Sequence, residues 1–350
     1  MAWTQTYTWN HMSGAHGDTL PHETPLLRWM GQFLPAVQGV EFSLRRPVQV
    51  LLVRNTNLAH SNMSGLDYGN AMAVAEALTQ LNVEFDIVMD RDLCYGPEDL
   101  KIDLSPYRLV ILPSVTLDSP GHVWEALDRW LCDPESAGGR VLALGRIGKR
   151  GPRLQPLTAF PEPLGTWLGM EDYEAQVSLQ GPQELVLTCE TGEERLTVDF
   201  GKIPPTGTFG DEGALLRTAA GEAIGRVSEH AGNAIHAFGF PLGLAHEPLW
   251  GMSPEQEPRD ALVPIYETLL QAAGVQRPVL APHNLRVYPA TDGRMILIRE
   301  RAGIATDAEV AVKLPGRSDF AGLEQTRTED GYTRFRVELK PWEGKWWKAE

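Results

Sequence analysis

The sequence predicts an α/β protein built on a doubly wound parallel sheet, with a strand–helix unit ahead of it and a small antiparallel β-sandwich behind it. Three observations carry this expectation. Apolar runs alternate with helix-period segments from about residue 46 to residue 144; short strands punctuated by Gly and Pro follow up to Phe240; and beyond Arg277-Pro278 the chain turns to short alternating strands separated by turns. Runs that are apolar throughout suit strands covered on both faces, and strand–helix alternation suits right-handed crossovers between parallel strands.

Residues 1–45 come first. Trp3, Gln5, Tyr7 and Trp9 alternate with Thr4, Thr6 and Thr8, a period-two pattern of β-prone residues. A Gly/His-rich loop from Asn10 to Thr19 leads into Leu26, Leu27, Met30, Phe33, Leu34 and Val37, spaced as one face of a helix. One strand and one helix cannot enclose a core, so this unit must dock on something else.

Residues 46–276 form the middle part. Val48–Val53 reads as a strand, Tyr68–Leu81 as a helix with Asp67 as its N-cap, and Val83–Met89 and Tyr107–Leu112 as the next two strands. Ser119–Leu131 reads as a second helix opened by a capping residue, and Arg140–Leu144 as a fourth strand. Short strands fill Gln176 to Phe240, and Arg259–Ala273 closes the part as a helix. In residues 277–350 the strands are the segments RVYPA, MILIRE, AEVAVKL and FRVELK, with turns at Thr291-Asp292-Gly293 and Glu329-Asp330-Gly331.

Composition excludes several function classes. With 350 residues, 43% of them hydrophobic, the chain can bury a sizeable core. That length suits two or three domains of ~100–200 residues. The 31 basic and 46 acidic residues leave a net charge of −15, the wrong sign for a nucleic-acid or anionic-membrane partner. Cys94, Cys132 and Cys189 stand far apart with no CxxC pair, so no zinc spacing is legible and free thiols in a reducing compartment are expected. Met1 to Met12 has neither the basic nor the apolar region of a signal peptide, and no apolar run approaches the ~20 residues of a membrane span. The expectation is a cytoplasmic protein without metal or cofactor.

Two further motifs read as structure. Asp90, Asp92, Glu98, Asp99 and Asp103 lack the spacing of a calcium loop and suit a solvated loop. Gly65-Leu66-Asp67-Tyr68-Gly69 is neither a dinucleotide fingerprint nor a phosphate-binding loop. Trp342, Trp346 and Trp347 fit either a carbohydrate platform or the cap of a small core.

Several stretches, in this order, resemble the family 42 glycoside hydrolases. They are SPYRLVILPSVTLDS (105–119), GGRVLALGRIG (138–148), PLGTWLGM (163–170), GNAIHAFGFPLG (232–243) and VELKPWEGKWWK (337–348). The resemblance implies that residues 1–45 are the last β/α unit of a (β/α)8 barrel. It implies that residues 46–276 are a trimerisation domain, flavodoxin-like and similar to a class I glutamine amidotransferase, and that residues 277–350 are the C-terminal β-sandwich. Retaining hydrolysis needs two carboxylates ~5–5.5 Å apart. In the family these come from the fourth and seventh barrel strands, and here both would precede Met1. Asp18, Glu23 and Glu41 are the only acids in residues 1–45, and none falls at a strand end.

The resemblance places Trp9 at the end of the eighth strand, where an aromatic meets a sugar face, with His11 and His16 in the following loop. The loop departs from the family pattern: Asn10-His11-Met12-Ser13-Gly14-Ala15-His16 has no glutamate. Trp9 as core and the histidines as solvated loop residues are the competing readings. The amidotransferase elbow needs a cysteine, yet Leu144-Gly145-Arg146-Ile147-Gly148 has none, and His246-Glu247-Pro248 offers a base without a nucleophile.

The expected function is therefore a non-catalytic portion or subunit of a β-galactosidase-like enzyme acting on a β-galactoside-type sugar. It would complete a barrel whose glutamates a partner polypeptide supplies, and would form a homo-oligomer, a trimer by family expectation. The alternatives are a stand-alone interaction or carbohydrate-binding module and, against the missing cysteine, an independent amidotransferase-like hydrolase.

Overall fold

The structure, a computed structural model, describes residues 40, 48–54, 64–93, 102–115, 121–134, 138–148, 156–201, 203, 205–244, 260–314 and 319–349. The strand–helix unit expected over residues 1–45 lies outside them, apart from Val40. The described residues fall into two compact units, one within residues 47–79 and 84–276, the other taking in residues 80–83 and 277–349.

The first unit is built on one nine-stranded sheet. Its strands are β1 (Val50–Arg54), β2 (Asp86–Met89), β3 (Leu109–Leu112), β4 (Val141–Leu144), β6 (Pro182–Cys189), β7 (Gly192–Asp199), β9 (Ala214–Thr218), β10 (Ala223–His230) and β11 (Asn233–Phe238). Across the sheet they run β2-β1-β3-β4-β11-β10-β9-β6-β7. The first five are mutually parallel, with Leu51 opposite both Asp86 and Val110, and Val141 opposite both Leu109 and Ala234. From β11 onward every pairing is antiparallel. β5 (Ala175–Val177) and β8 (Thr206–Thr208) pair separately.

The sheet is mixed, where the sequence suggested a parallel sheet followed by separate short strands. Burial shows why the two halves read differently. β3 and β4 are buried at every position, whereas β7 (GEERLTVD) buries only Leu196 and Val198 and wets the rest. The apolar runs mark strands covered on both faces, and the alternating ones mark strands with a wet side.

Helix α1 (Ser64–Gln80) follows β1 and α2 (Gly121–Leu131) follows β3. The chain is already helical at Asp67, so Asp67 is not the N-cap that the sequence suggested; a single capping-type residue fixes a boundary poorly when its predecessors also take helical dihedrals. α2 presses Val123, Trp124, Leu127, Trp130 and Leu131 onto a core shared with Val110, Leu142 and Ile235. The one-and-a-half-turn helix α3 (Leu164–Leu168) buries Trp167 and stops at Gly169, whose left-handed φ of 65° closes the helix end. α4 (Val263–Ala272) is shorter than the sequence reading, because Asp260–Leu262 forms a 3-10 turn ahead of it. Its Tyr266 hydroxyl donates to Leu242 O at 2.8 Å. Among the described residues no helix is long and apolar enough to cross a membrane.

The second unit holds two antiparallel sheets. One is ordered β12-β15-β17-β16 from β12 (Val279–Leu280), β15 (Thr306–Val312), β17 (Tyr332–Leu339) and β16 (Glu324–Glu329). The other is β13-β14-β18 from β13 (Leu285–Pro289), β14 (Met295–Glu300) and β18 (Gly344–Lys348). Both sheets contribute to one core: Leu285, Val287, Ile296 and Ile298 from the smaller, Val310, Val312, Phe335 and Val337 from the larger. Asp330 (φ 52°) and Gly331 (φ 77°) form the two-residue turn between β16 and β17, as Glu329-Asp330-Gly331 suggested. The mostly exposed strand β16 has no apolar alternation, and the sequence reading did not mark it.

Candidate functional site

Trp9, His11 and His16, the substrate-contact candidates, lie outside the described residues, as do Cys94 and His246-Glu247-Pro248. Two places in the first unit can be built from their residues upward: the turn after β4 and the end of α2.

The turn Gly145-Arg146-Ile147-Gly148 follows the C-terminal end of a central parallel strand, the side of an open α/β sheet where ligands usually bind. It is tightly constrained. A Cβ on Gly145 would stand 1.8 Å from Pro113 O, so only glycine fits. Gly145 N donates to Leu112 O at 2.8 Å, Arg146 N to Phe240 O at 2.9 Å, and Ile147 N to the Tyr173 hydroxyl at 2.8 Å. Tyr173 is itself locked edge-on between Phe160 and Phe209. Burial raises its phenol above the ordinary range and lowers the Arg146 guanidinium below its own. The side chain at this turn is thus an arginine, which has no lone pair to offer a carbonyl carbon.

At the end of α2, three ligand-type side chains meet. Asp128 and Cys132 lie one turn apart, joined through Cys132 N to Asp128 O at 2.8 Å, and so share a face. His230, the last residue of β10, brings Nε2 to 3.0 Å from Asp128 Oδ1 and 3.6 Å from Cys132 Sγ. Cys132 Sγ stands 3.9 Å from Asp128 Oδ2. The buried Trp167 donates its Nε1 proton to Asp128 Oδ1 at 3.0 Å, and its ring lies 5.8 Å from that of His230.

The frame behind the cluster is rigid. Ala231 (φ 50°) and Gly232 (φ 76°) turn β10 back into β11, which sets Asn233 opposite His230. Asn233 Nδ2 donates to Leu131 O at 2.6 Å, and its Oδ1 accepts from Arg140 N at 3.0 Å. Arg140 donates to Trp130 O, pairs with Asp133 at 2.8 Å and stacks over the Trp130 ring. Of the last carbonyls of α2, orphaned in any helix, Leu131 O is thus satisfied by the hairpin that delivers His230 and Trp130 O by Arg140 ahead of β4.

This trio does not work as a nucleophilic relay. Such a relay needs the thiol at one imidazole nitrogen and the carboxylate at the other, and here both address Nε2. The Cys132 thiol is also raised above its ordinary value by desolvation and by the Asp128 charge, the reverse of an activated cysteine. The sequence reading singled out Cys132 alone. The Asp128–Cys132 spacing was a legible signal, but His230, 98 residues beyond Cys132, was not.

The remaining candidates divide between packing and exposed surface. Exposed Asp103 accepts from Ser105 N and Ser105 Oγ, both at 2.9 Å, which lowers its carboxyl; Asp90 is buried, and Glu98 and Asp99 lie outside the described residues. Trp347 packs against the second unit's core and Trp346 against Ala290 and Met295, whereas Trp342 is 48% exposed. Beneath Trp342, the fully buried Glu300 accepts from Trp342 N at 2.8 Å, Ala302 N at 2.7 Å and Gly303 N at 2.9 Å, and so pins both loops.

No family profile matches the chain, and no curated protein matches it. Solved structures do. A β-galactosidase from Bacillus circulans sp. alkalophilus is similar at a TM-score of 0.54 and 14% identity, over 87% of this chain and 42% of its own. A polyextremophilic β-galactosidase from the Antarctic haloarchaeon Halorubrum lacusprofundi gives 0.53 and 14%, over 92% and 42%. A catalytic mutant of Gan42B, a GH42 β-galactosidase from G. stearothermophilus, gives 0.54 and 12%, over 87% and 40%. The chain spans about two fifths of the length of these structures, and at such identities the likeness is one of fold.

Proposed function

We propose that the chain is the C-terminal, non-catalytic portion or subunit of a β-galactosidase-like retaining glycoside hydrolase. One observation carries the reading: a fold shared over 87–94% of this chain takes up only 40–42% of the β-galactosidase structures it resembles. In this reading residues 1–45 complete a (β/α)8 barrel. The parallel strand order β2-β1-β3-β4-β11 is the flavodoxin-like, amidotransferase-like core of a trimerisation domain, and the second unit is a β-sandwich. The acid/base and nucleophile glutamates come from a partner polypeptide. Trp9 stacks on the β-galactoside-type sugar, with His11 and His16 beside it.

The two places in the first unit that invite catalysis support a scaffold role. The turn after β4 has no nucleophile, and Cys132, its thiol raised by burial and the Asp128 charge, stands beside a histidine that is not placed to relay its proton. Hydrolysis of a chromogenic β-galactoside tests the reading, measured on the chain alone and after adding the polypeptide encoded beside it. Activity is expected only in the mixture, with KM raised about tenfold by Trp9→Ala through loss of one stacking contact. Hydrolysis by the chain alone, or a mixture that neither hydrolyses nor associates, overturns the reading.

The half-exposed Trp342 favours a second reading, a stand-alone carbohydrate-binding module. Glycan binding by the isolated chain, abolished by Trp342→Ala, distinguishes it.

A further inference from the structure

We propose that Asp128, Cys132 and His230 form a binding site for one divalent ion of the zinc class, with the fourth coordination position left to solvent. The inference is independent of the glycosidase reading and rests on distances. A tetrahedral zinc with ~2.3 Å to sulfur and ~2.0 Å to nitrogen or oxygen separates its ligand atoms by roughly 3.3–3.6 Å. Here His230 Nε2 stands 3.0 Å from Asp128 Oδ1 and 3.6 Å from Cys132 Sγ, while the sulfur lies 3.9 Å from the other carboxylate oxygen, Oδ2; one donor atom from each residue falls within 4.8 Å of the other two. An ion can therefore enter after a turn of the Asp128 carboxylate and shifts on the order of 1 Å, within the reach of three side-chain torsions.

The donor set selects the ion. A thiolate and an imidazole beside one carboxylate suit zinc and its borderline neighbours, whereas magnesium and calcium prefer oxygen throughout. The surroundings fit as well. Trp167 Nε1 donates to Oδ1 of the Asp128 carboxylate and so orients it, as the outer partners of metal ligands do. The helix end and the hairpin are fixed to each other through Asn233 before any ion arrives. Cys132 is exposed, and the side chains of Asp128 and His230 keep 42% and 25% of their surface, so the site opens to water on one side. An ion here would clip α2 to the β10–β11 hairpin across a loop of about a hundred residues, the kind of closure that restricts the unfolded chain most.

The test uses the full chain, stripped with a chelator and titrated with Zn2+ by calorimetry and with Co2+ by absorption. One equivalent of cobalt should bring a thiolate-to-metal charge-transfer band in the near ultraviolet and the intense visible bands of a tetrahedral ion. Cys132→Ser should abolish the charge-transfer band. His230→Gln and Asp128→Asn should each weaken zinc binding at least tenfold, the usual scale for a lost ligand or its support. Cys189→Ser should change nothing. Zinc should raise the unfolding midpoint of the wild type and leave that of Cys132→Ser unmoved. The surface position of Cys132 lets this variant fold, and its unfolding midpoint without metal verifies that. A wild-type chain that takes up no zinc, or a charge-transfer band and affinity that persist in Cys132→Ser, overturns the proposal.

Discussion

The turn after β4 and the end of α2 belong to the same unit and are built by opposite means. At the turn, every backbone donor is engaged, Gly145 has no room for a methyl group, and the side chain that follows it is a partly buried arginine. At the end of α2, the side chains carry the chemistry, namely a thiol, an imidazole and a carboxylate, and the backbone behind them is ordinary helix and hairpin. The first place lies at the strand ends where open α/β sheets bind ligands, without a nucleophile. The second has the groups, arranged around one nitrogen instead of in a relay. The parallel sheet keeps its turn because the packing demands it, whereas the thiol of the cluster sits exposed at a helix end.

Substitutions can break that contrast, and the largest effect should come from the turn. Gly145→Ala forces a methyl against Pro113 O and Leu242 N, both backbone atoms that cannot rotate away. A loss of at least about 3 kcal/mol is expected in denaturant unfolding, in the range of overpacked cores. A loss below about 1 kcal/mol would show that the turn is not held as described.

The next effect is acid-dependent. Buried His236 on β11 is pulled down to about 4 by desolvation, and its Nδ1 has no hydrogen-bond partner among the described residues. In the unfolded chain it titrates near 6.5. Between these values the unfolded state binds the extra proton, so stability is complete above pH ~6.5 and falls as the pH drops toward ~4, by up to about 3 kcal/mol. His236→Leu should flatten that part of the pH–stability curve. An unchanged slope would assign the acid sensitivity elsewhere.

Smaller still is the frame of the cluster. Asn233→Ala leaves Leu131 O and Arg140 N without their partner, and should cost about 2 kcal/mol by the usual penalty for stranded buried groups. Cys132→Ser, measured without metal, should shift stability by less than about 0.5 kcal/mol, as exposed positions do. If the order of these two reverses, the cluster is a structural element of the fold and the contrast fails.

How much of this the sequence disclosed follows from the range of each interaction. Val50–Val53, Leu109–Leu112 and Val141–Leu144 announced themselves as strands because burial on both faces leaves no polar position. Their parallel alternation with helices was equally local. That β6, β7, β9 and β10 extend the same sheet was not legible, since strand order is set by pairings remote in sequence. Asp67 misled because Ser64 to Leu66 are also helical. The break near residue 80 was hidden for the same reason: Asn82, at φ 53°, donates to Leu285 O and accepts from Val287 N, and so belongs with strands two hundred residues away. Of the site, the i, i+4 pair Asp128 and Cys132 was readable, and the histidine that completes it was not.

We propose that this chain is a scaffold whose catalytic residues lie on another polypeptide. The native mass of the purified chain, before and after mixing with the polypeptide encoded beside it, tests this most directly. The account predicts a homo-oligomer, a trimer, that takes up one partner per chain. A chain whose mass does not change on mixing would contradict it.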